Sequence, residues 1–111
     1  MSDDLFSFAV DGPSAAAAFP RVQSQHLILA ALAQIEPDPA WEGCLVYEGE
    51  SPLDTPPGFS VATLGPGADA VQERLVEAFE RLGVRIVQIF EGGPAERTRI
   101  ARVRGGVWST A

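Results

Sequence analysis

The chain contains no lysine, a single cysteine, a single histidine and no long apolar run. One cysteine, Cys44, excludes an internal disulfide, and Cys44 with His26 supplies too few soft ligands for a structural zinc site. No segment approaches the ~20 consecutive apolar residues that span a bilayer. The N-terminus is acidic at Asp3 and Asp4, where a secretory signal would be basic. We therefore expect a cytoplasmic protein without membrane contact, and we expect neither a metal nor a cofactor.

Acidic residues outnumber basic ones, fifteen to eight, which gives the 111 residues a net charge of −7 at pH 7. The hydrophobic share of 46% is ordinary for a globular protein, so we expect one α+β domain over residues 1–111. All the acidic residues and four arginines lie in residues 1–96. The other four arginines follow: Arg97, Arg99, Arg102 and Arg104. Because an acidic body repels a polyanion, we expect no direct nucleic-acid binding.

Residues 5–10 alternate bulky and small side chains, which predicts a first strand. An alanine-rich segment from Ser14 predicts a helix that is kinked or restarted at Pro20 and ends before Pro37. The next strand is predicted around residues 41–48. Its buried face is expected to carry Trp41, Leu45 and Tyr47, whereas Cys44 and Val46 share the side of the glutamates.

The second half repeats the strand and helix pattern. A proline-rich loop is predicted at residues 49–58, a third strand at 59–64, and then an amphipathic helix that Gly83 ends as a left-handed cap. A fourth strand follows at 84–90, apolar on both sides, so something must cover its second face. Residues 99–108 predict a fifth strand or a terminal hairpin.

The order strand, helix, strand, strand, helix, strand predicts a ferredoxin-like sheet with two helices on one face and a C-terminal strand or hairpin. The second face is expected to be covered by the C-terminal segment or by the mate in a symmetric dimer, with a ligand or a foreign partner as the alternative. Arg97 and Arg99 are two residues apart, as are Arg102 and Arg104, but Arg99 and Arg102 are three residues apart. In one continuous strand, the first two arginines would therefore lie on one face of the sheet and the last two on the other. We expect them to pair with the acidic body.

Acidic residues recur at helical spacing on the second predicted helix: Asp69, Glu73, Glu77 and Glu80. A second acidic group surrounds the proline-rich loop: Glu48, Glu50 and Asp54. Such surfaces keep proteins soluble, but they also steer association with basic partners. Trp108, near the C-terminus, is added to this candidate partner-binding set because tryptophan is enriched at binding hot spots.

The leading hypothesis is a non-enzymatic inhibitor that occupies the basic surface of a nuclease, a toxin or a nucleic-acid-guided complex. Small immunity proteins and phage-encoded anti-defence inhibitors, such as anti-CRISPR proteins, share this physical character, but no family motif is present. One alternative is a ferredoxin-like dimer that binds a small molecule or acts as a small enzyme, with a pocket that holds His26 or an arginine. Another is a structural subunit that joins a larger assembly through residues 99–108.

His26 and Cys44 are the two residues with catalytic potential. A partly buried structural histidine and a semi-buried strand cysteine are the expected roles, because no catalytic signature surrounds either residue. A nucleophile and base pair requires the fold to bring the two side chains within hydrogen-bond reach.

Overall fold

The computed structural model describes residues 5–51, 58–94 and 96–111. They form an α+β fold with a six-stranded antiparallel sheet and three α-helices. In chain order these are β1 (Phe6–Asp11), α1 (Gly12–Ala18), α2 (Ser24–Leu32), a 3₁₀ turn (Pro39–Trp41), β2 (Leu45–Glu50), β3 (Gly58–Leu64), α3 (Ala68–Arg81), β4 (Ile86–Glu91), β5 (Arg97–Arg104) and β6 (Val107–Ser109).

The strands are arranged in the order β4-β1-β3-β2-β5-β6. Chain segments that contain α1 and α2 connect β1 to β2, and α3 connects β3 to β4. The register places Phe8 opposite Val61 of β3 and Ile89 of β4. Residues opposite each other in an antiparallel pair share a face of the sheet, so the register sorts every strand residue onto one of two faces.

One face of the sheet carries all three helices. Phe8, Val10 and Val61 of this helix-packed face share one buried core with residues of α1, α2 and α3. The ring of Phe79 on α3 makes edge-on contacts with Phe8, at 5.8 Å between centroids, and with Phe59, at 6.3 Å. The helix packs on the sheet through apolar residues that recur at helical spacing in α3.

The first helical segment is divided at Pro20, as the sequence predicts. Asp11 caps α1, because its carboxylate accepts a hydrogen bond of 2.9 Å from the backbone N–H of Ser14. The chain then turns through Arg21, whose φ of +66° lies in the left-handed region that non-glycine residues rarely adopt. The second helix restarts at Ser24 and buries Leu27 and its helical neighbours.

The prediction for the buried side of β2 is wrong for Leu45 and Tyr47, whereas Trp41, which precedes the strand, is buried as predicted. Cys44 and Val46 are fully buried in the core, whereas Leu45 and Tyr47 are only partly buried on the opposite face. Glu48 lies on the helix-packed side opposite Val61, and its carboxylate accepts a hydrogen bond from the hydroxyl of a residue of α2, Ser24. Because this glutamate lies at the rim of the core, the side of the strand that carries it was wrongly predicted to be the exposed side.

Residues 92–94 cross the second face of the sheet, the face opposite the helices. Ser7, Ala9, Ser60 and Ala62 are buried on this face although none of the described helices covers them. The hydroxyl of Ser7 donates a hydrogen bond to the carbonyl of Gly92. Small side chains let the crossing segment lie close to the sheet, so the chain itself closes part of the second face.

The outer strand β4 stays partly uncovered. Ile89 is 59% exposed and Val87 is 45% exposed, whereas Val84 is buried beside the end of α3. The described residues therefore do not cover all of the apolar surface that the sequence places in β4. At the other edge, β5 and β6 form the predicted C-terminal hairpin around Gly105 and Gly106.

Candidate functional site

The exposed side of α3 carries the four carboxylates that the sequence predicts at helical spacing. We call Asp69, Glu73, Glu77 and Glu80 the α3 acidic row; all four residues are exposed. The opposite side of the helix is buried, which forces the row outward. Glu77 forms an ion pair with Arg81 at 4.0 Å, and both side chains are 54% exposed. Such a pair neutralises little charge in water, so the row keeps its negative character.

A depression with both acidic and basic side chains in its lining adjoins α3. Its volume is about 550 Å³, and it lies between the end of α2, the 3₁₀ turn and α3. Glu36 and Asp38 border it from the loop, and Glu77 borders it from α3. Arg81 also lines it and donates from Nε to the side-chain carbonyl of Gln34 at 3.2 Å. One member of the α3 acidic row, Glu77, therefore shares this concave surface with two loop carboxylates and with two arginines, Arg74 and Arg81.

Among the described residues, none of the other predicted partner-binding residues lies on α3 or lines this depression. Glu48 is partly buried and bonded to Ser24, whereas Glu50 is exposed at the end of β2. Asp54 lies outside the described residues. Trp108 is partly buried against the core, and its indole N–H donates to the carbonyl of Ile35 at 2.9 Å. Much of this tryptophan therefore serves packing within the chain.

His26 and Cys44 have different environments. His26 is exposed on α2, so the prediction of a partly buried histidine is wrong. Cys44 is fully buried, and burial raises the pKa of its thiol to about 11. A thiol with such a pKa remains protonated near neutrality, and the thiolate is the nucleophilic form of cysteine. Cys44 is therefore a core residue without nucleophilic activation.

An apolar cavity of about 270 Å³ opens at the junction of α1 and α2. Phe19, Leu27 and Phe59 supply apolar walls, and Arg21 and Ser24 add polar groups. Arg21, whose backbone has the left-handed conformation, lies at the rim of this cavity. A cavity with apolar walls and few polar groups is typical of small-ligand sites, although this volume is at the low end of their range.

The four C-terminal arginines lie together on the second face, so the prediction that strand parity divides them is wrong. Tyr47 of β2 faces Arg99, but the next residue back, Val46, faces Ala101. Ile100 is therefore the extra residue of a β-bulge, and its side chain is buried in the core. This one inserted residue brings the side chains of Arg102 and Arg104 to the same face as those of Arg97 and Arg99. We call Arg97, Arg99, Arg102 and Arg104 the arginine row.

The structure shows no ion pair between the arginine row and a carboxylate of the described residues. Ion pairs within the described ranges join Arg81 to Glu77 and Arg85 to Asp11, and none involves the row. The guanidinium of Arg97 lies over the ring of Tyr47, 5.0 Å from its centroid, and donates to the carbonyl of Pro94 at 3.2 Å. Carboxylates of α3 and guanidinium groups of β5 therefore occupy opposite sides of the sheet.

Comparisons of the chain with protein-family models, curated proteins and solved structures found no match. No helix within the described ranges is long and apolar enough to cross a membrane. In the same part of the chain, no three histidine, cysteine, aspartate or glutamate residues come together in a group suited to a metal ion. Function has to be inferred from the two charged surfaces and the cavity.

Proposed function

We propose that the chain is a non-enzymatic protein-binding module that docks its α3 acidic row on a basic surface of a partner. The observation that carries the proposal is the exposure of all four carboxylates on one rigid helix, with one weak ion pair among them. A field of one sign steers an oppositely charged partner and raises its rate of association. Glu36 and Asp38 add two carboxylates at the adjoining depression, whose lining also contains Arg74 and Arg81.

A partner with a basic groove fits this surface best. Nucleases, nucleic-acid-binding toxins and nucleic-acid-guided complexes carry such grooves because they neutralise phosphates. A module that occupies the groove inhibits the enzyme by excluding its nucleic acid. The free, unactivated Cys44 suits a reducing compartment, so we place this activity in the cytoplasm.

We further propose that β1 to β4 are a ferredoxin-like core to which β5 and β6 were added. The order β4-β1-β3-β2 supports this, as do the two helical connections on one face. Many unrelated functions share such a core, so the assignment of function depends on the surfaces and not on the architecture.

A second candidate function is the binding of a small ligand in the cavity between α1 and α2. The specific observation in its favour is an arginine, Arg21, held in a left-handed conformation at the rim of an apolar cavity. Strained backbone clusters at ligand sites. A ligand that fits here has an apolar body and one anionic group.

Charge reversal tests the leading proposal. The row variant is Glu73→Arg/Glu80→Arg, and the control is Glu91→Arg/Glu96→Arg, which changes the net charge equally at exposed sites off α3. Tagged wild-type and variant proteins capture partners from host lysate at low and high salt, and association rates are then measured with the purified partner. We expect the row variant to associate at least about tenfold more slowly at low salt, because steering is lost, and the control to retain most of the rate.

Two results would contradict the proposal. Equal slowing in both variants means that net charge, and not the row, governs binding. If a partner is recovered and its association rate does not depend on salt, electrostatic attraction does not govern the binding. If no partner is recovered and a small anionic compound stabilises the wild type but not Arg21→Gln, the cavity becomes the functional site.

A further inference from the structure

The arginine row presents four cationic groups at regular spacing. Side chains at alternate positions of a strand lie about 6.6–6.8 Å apart, and the bulge at Ile100 keeps Arg102 and Arg104 on the same face as Arg97 and Arg99. Across the β5–β6 pair, Arg102 faces Ser109 and Arg104 faces Val107, so no acidic residue of the hairpin opposes them. The row is a linear cationic surface.

A cleft of about 380 Å³ lies at one end of the row, lined by Arg102, Arg104, Gly43, Val103 and Glu42. Apart from its two chain neighbours, no atom of the described residues lies within 4 Å of the position that a Cβ at Gly43 would take, so the cleft is open above this glycine. The Nε atom of Arg102 is buried and has no hydrogen-bond partner among the described residues. A buried donor without a partner is costly, so this atom marks a polar group that the described residues leave unsatisfied at the end of the row.

Among the described residues, one carboxylate lines the cleft, and it is already engaged. Glu42 accepts hydrogen bonds from the backbone N–H groups of Gly105, at 2.8 Å, and Gly106, at 3.2 Å. The acidic residues of β2, Glu48 and Glu50, lie on the helix-packed face. The second face near β5 therefore offers cationic groups that the described part of the chain does not neutralise.

The surroundings of the row favour a short acidic peptide over single-stranded nucleic acid. Sheet surfaces that bind single strands stack bases on open aromatic rings. Here the ring of Tyr47 is covered by Arg97, and the middle of the face consists of small residues crossed by residues 92–94. The net charge of −7 also repels a long polyanion more than a segment with a few carboxylates.

We propose that the arginine row binds a short acidic segment of another protein, extended along β5, with carboxylates at alternate positions. An extended peptide repeats its side chains with the same period as the strand below it, so each carboxylate meets one guanidinium. This site lies across the sheet from the α3 acidic row and does not depend on the function proposed for that row.

The test measures fluorescence anisotropy of a labelled peptide in which glutamate and serine alternate. A peptide with the same composition and its glutamates in one block is the ligand control, and an oligothymidylate of equal charge is the second probe. The protein variants are Arg102→Gln/Arg104→Gln at the cleft and Arg97→Gln/Arg99→Gln at exposed positions. The control variant Arg74→Gln/Arg85→Gln removes the same charge from exposed sites outside the row. Circular dichroism checks that each variant is folded.

We expect the alternating peptide to bind wild-type protein more tightly than the blocked peptide does, with affinity that falls as salt is raised. Each row variant should lose at least about tenfold in affinity, because each removes two charge-assisted contacts, and the control should lose less than about threefold. The exposed pair keeps the test valid if the cleft variant does not fold.

Three outcomes would overturn the proposal. Equal losses in the row and control variants mean non-specific attraction. Tighter binding of the oligothymidylate than of the alternating peptide identifies a nucleic-acid surface. Self-association that disappears in the row variants and in Glu73→Arg/Glu80→Arg means that the row is occupied by the α3 acidic row of a second copy.

Discussion

Pro94 lies directly on Gly49: a methyl group at Gly49 would stand 2.1 Å from Cγ of Pro94. The two residues come from β2 and from the segment that leads from β4 to β5, so this contact fixes the crossing of the second face. Ser60, the partner of Gly49 in β3, is buried beneath the same crossing. The absence of a side chain at Gly49 is therefore a structural requirement.

Gly49→Ala is expected to destabilise the fold by about 1–3 kcal/mol through overpacking. Chemical denaturation measures the change. Pro94→Gly removes the opposing ring, so the double variant should cost less than the sum of the two single variants. Additive costs would show that Pro94 does not pack on Gly49 in solution.

Phe79→Ala is expected to cost about 3–5 kcal/mol, because the ring is fully buried and contacts Phe8 and Phe59. Glu80→Ala, on the exposed side of the same helix, should change the free energy of unfolding by less than about 0.5 kcal/mol. Thermal and chemical denaturation compare the two variants. A small effect of Phe79→Ala would mean that α3 is not seated on the sheet as described.

Cys44 should make the stability depend on pH above neutrality. Burial raises its pKa from 9.0 to about 11, so the unfolded chain loses this proton before the folded protein does. The stabilisation is complete below pH 9 and is lost as the pH rises to 11, with a slope that approaches about 1.4 kcal/mol per pH unit. Cys44→Ala should lack this component when the two proteins are compared at each pH. Identical pH profiles would contradict the assignment.

Glu42 should hold the β5–β6 turn, because its carboxylate accepts from the N–H groups of Gly105 and Gly106. Glu42→Ala is expected to accelerate hydrogen exchange at these two amides and to lower stability by about 1 kcal/mol. Glu42→Gln, which keeps one accepting oxygen, should show a smaller effect. Unchanged exchange in Glu42→Ala would mean that the turn is stable without this anchor.

Local pattern was sufficient for α3. Its apolar spacing predicts the buried side, and Gly83 has the predicted left-handed conformation, with φ at +83°. The N–H of the buried Val84 donates to the carbonyl of Phe79 at 2.9 Å, as such a cap requires. The exposure of the acidic row follows from the same pattern, because 3.6 residues per turn separate the two sides of a helix.

Local pattern failed for β2 and β5. In β2, Glu48 lies on the buried side, where the hydroxyl of Ser24, distant in the sequence, donates a hydrogen bond to its carboxylate. In β5, one inserted residue, Ile100, brings four arginines to one face, and a bulge of this kind has no distinctive signal in the sequence. The common face of the four arginines could therefore not be predicted, although their clustering near the C-terminus is plain in the sequence.

The sequence by itself determined the secondary structure of α3, the break at Pro20, the C-terminal hairpin and the excess of negative charge, because each depends on local spacing or composition. Only the tertiary structure decided which side of β2 is buried, how residues 92–94 cover part of the second face, and that the α3 acidic row and the arginine row lie on opposite sides of the sheet. Strand register and bulges arise from pairing between distant segments, and the free energy of that pairing is not written in any single segment.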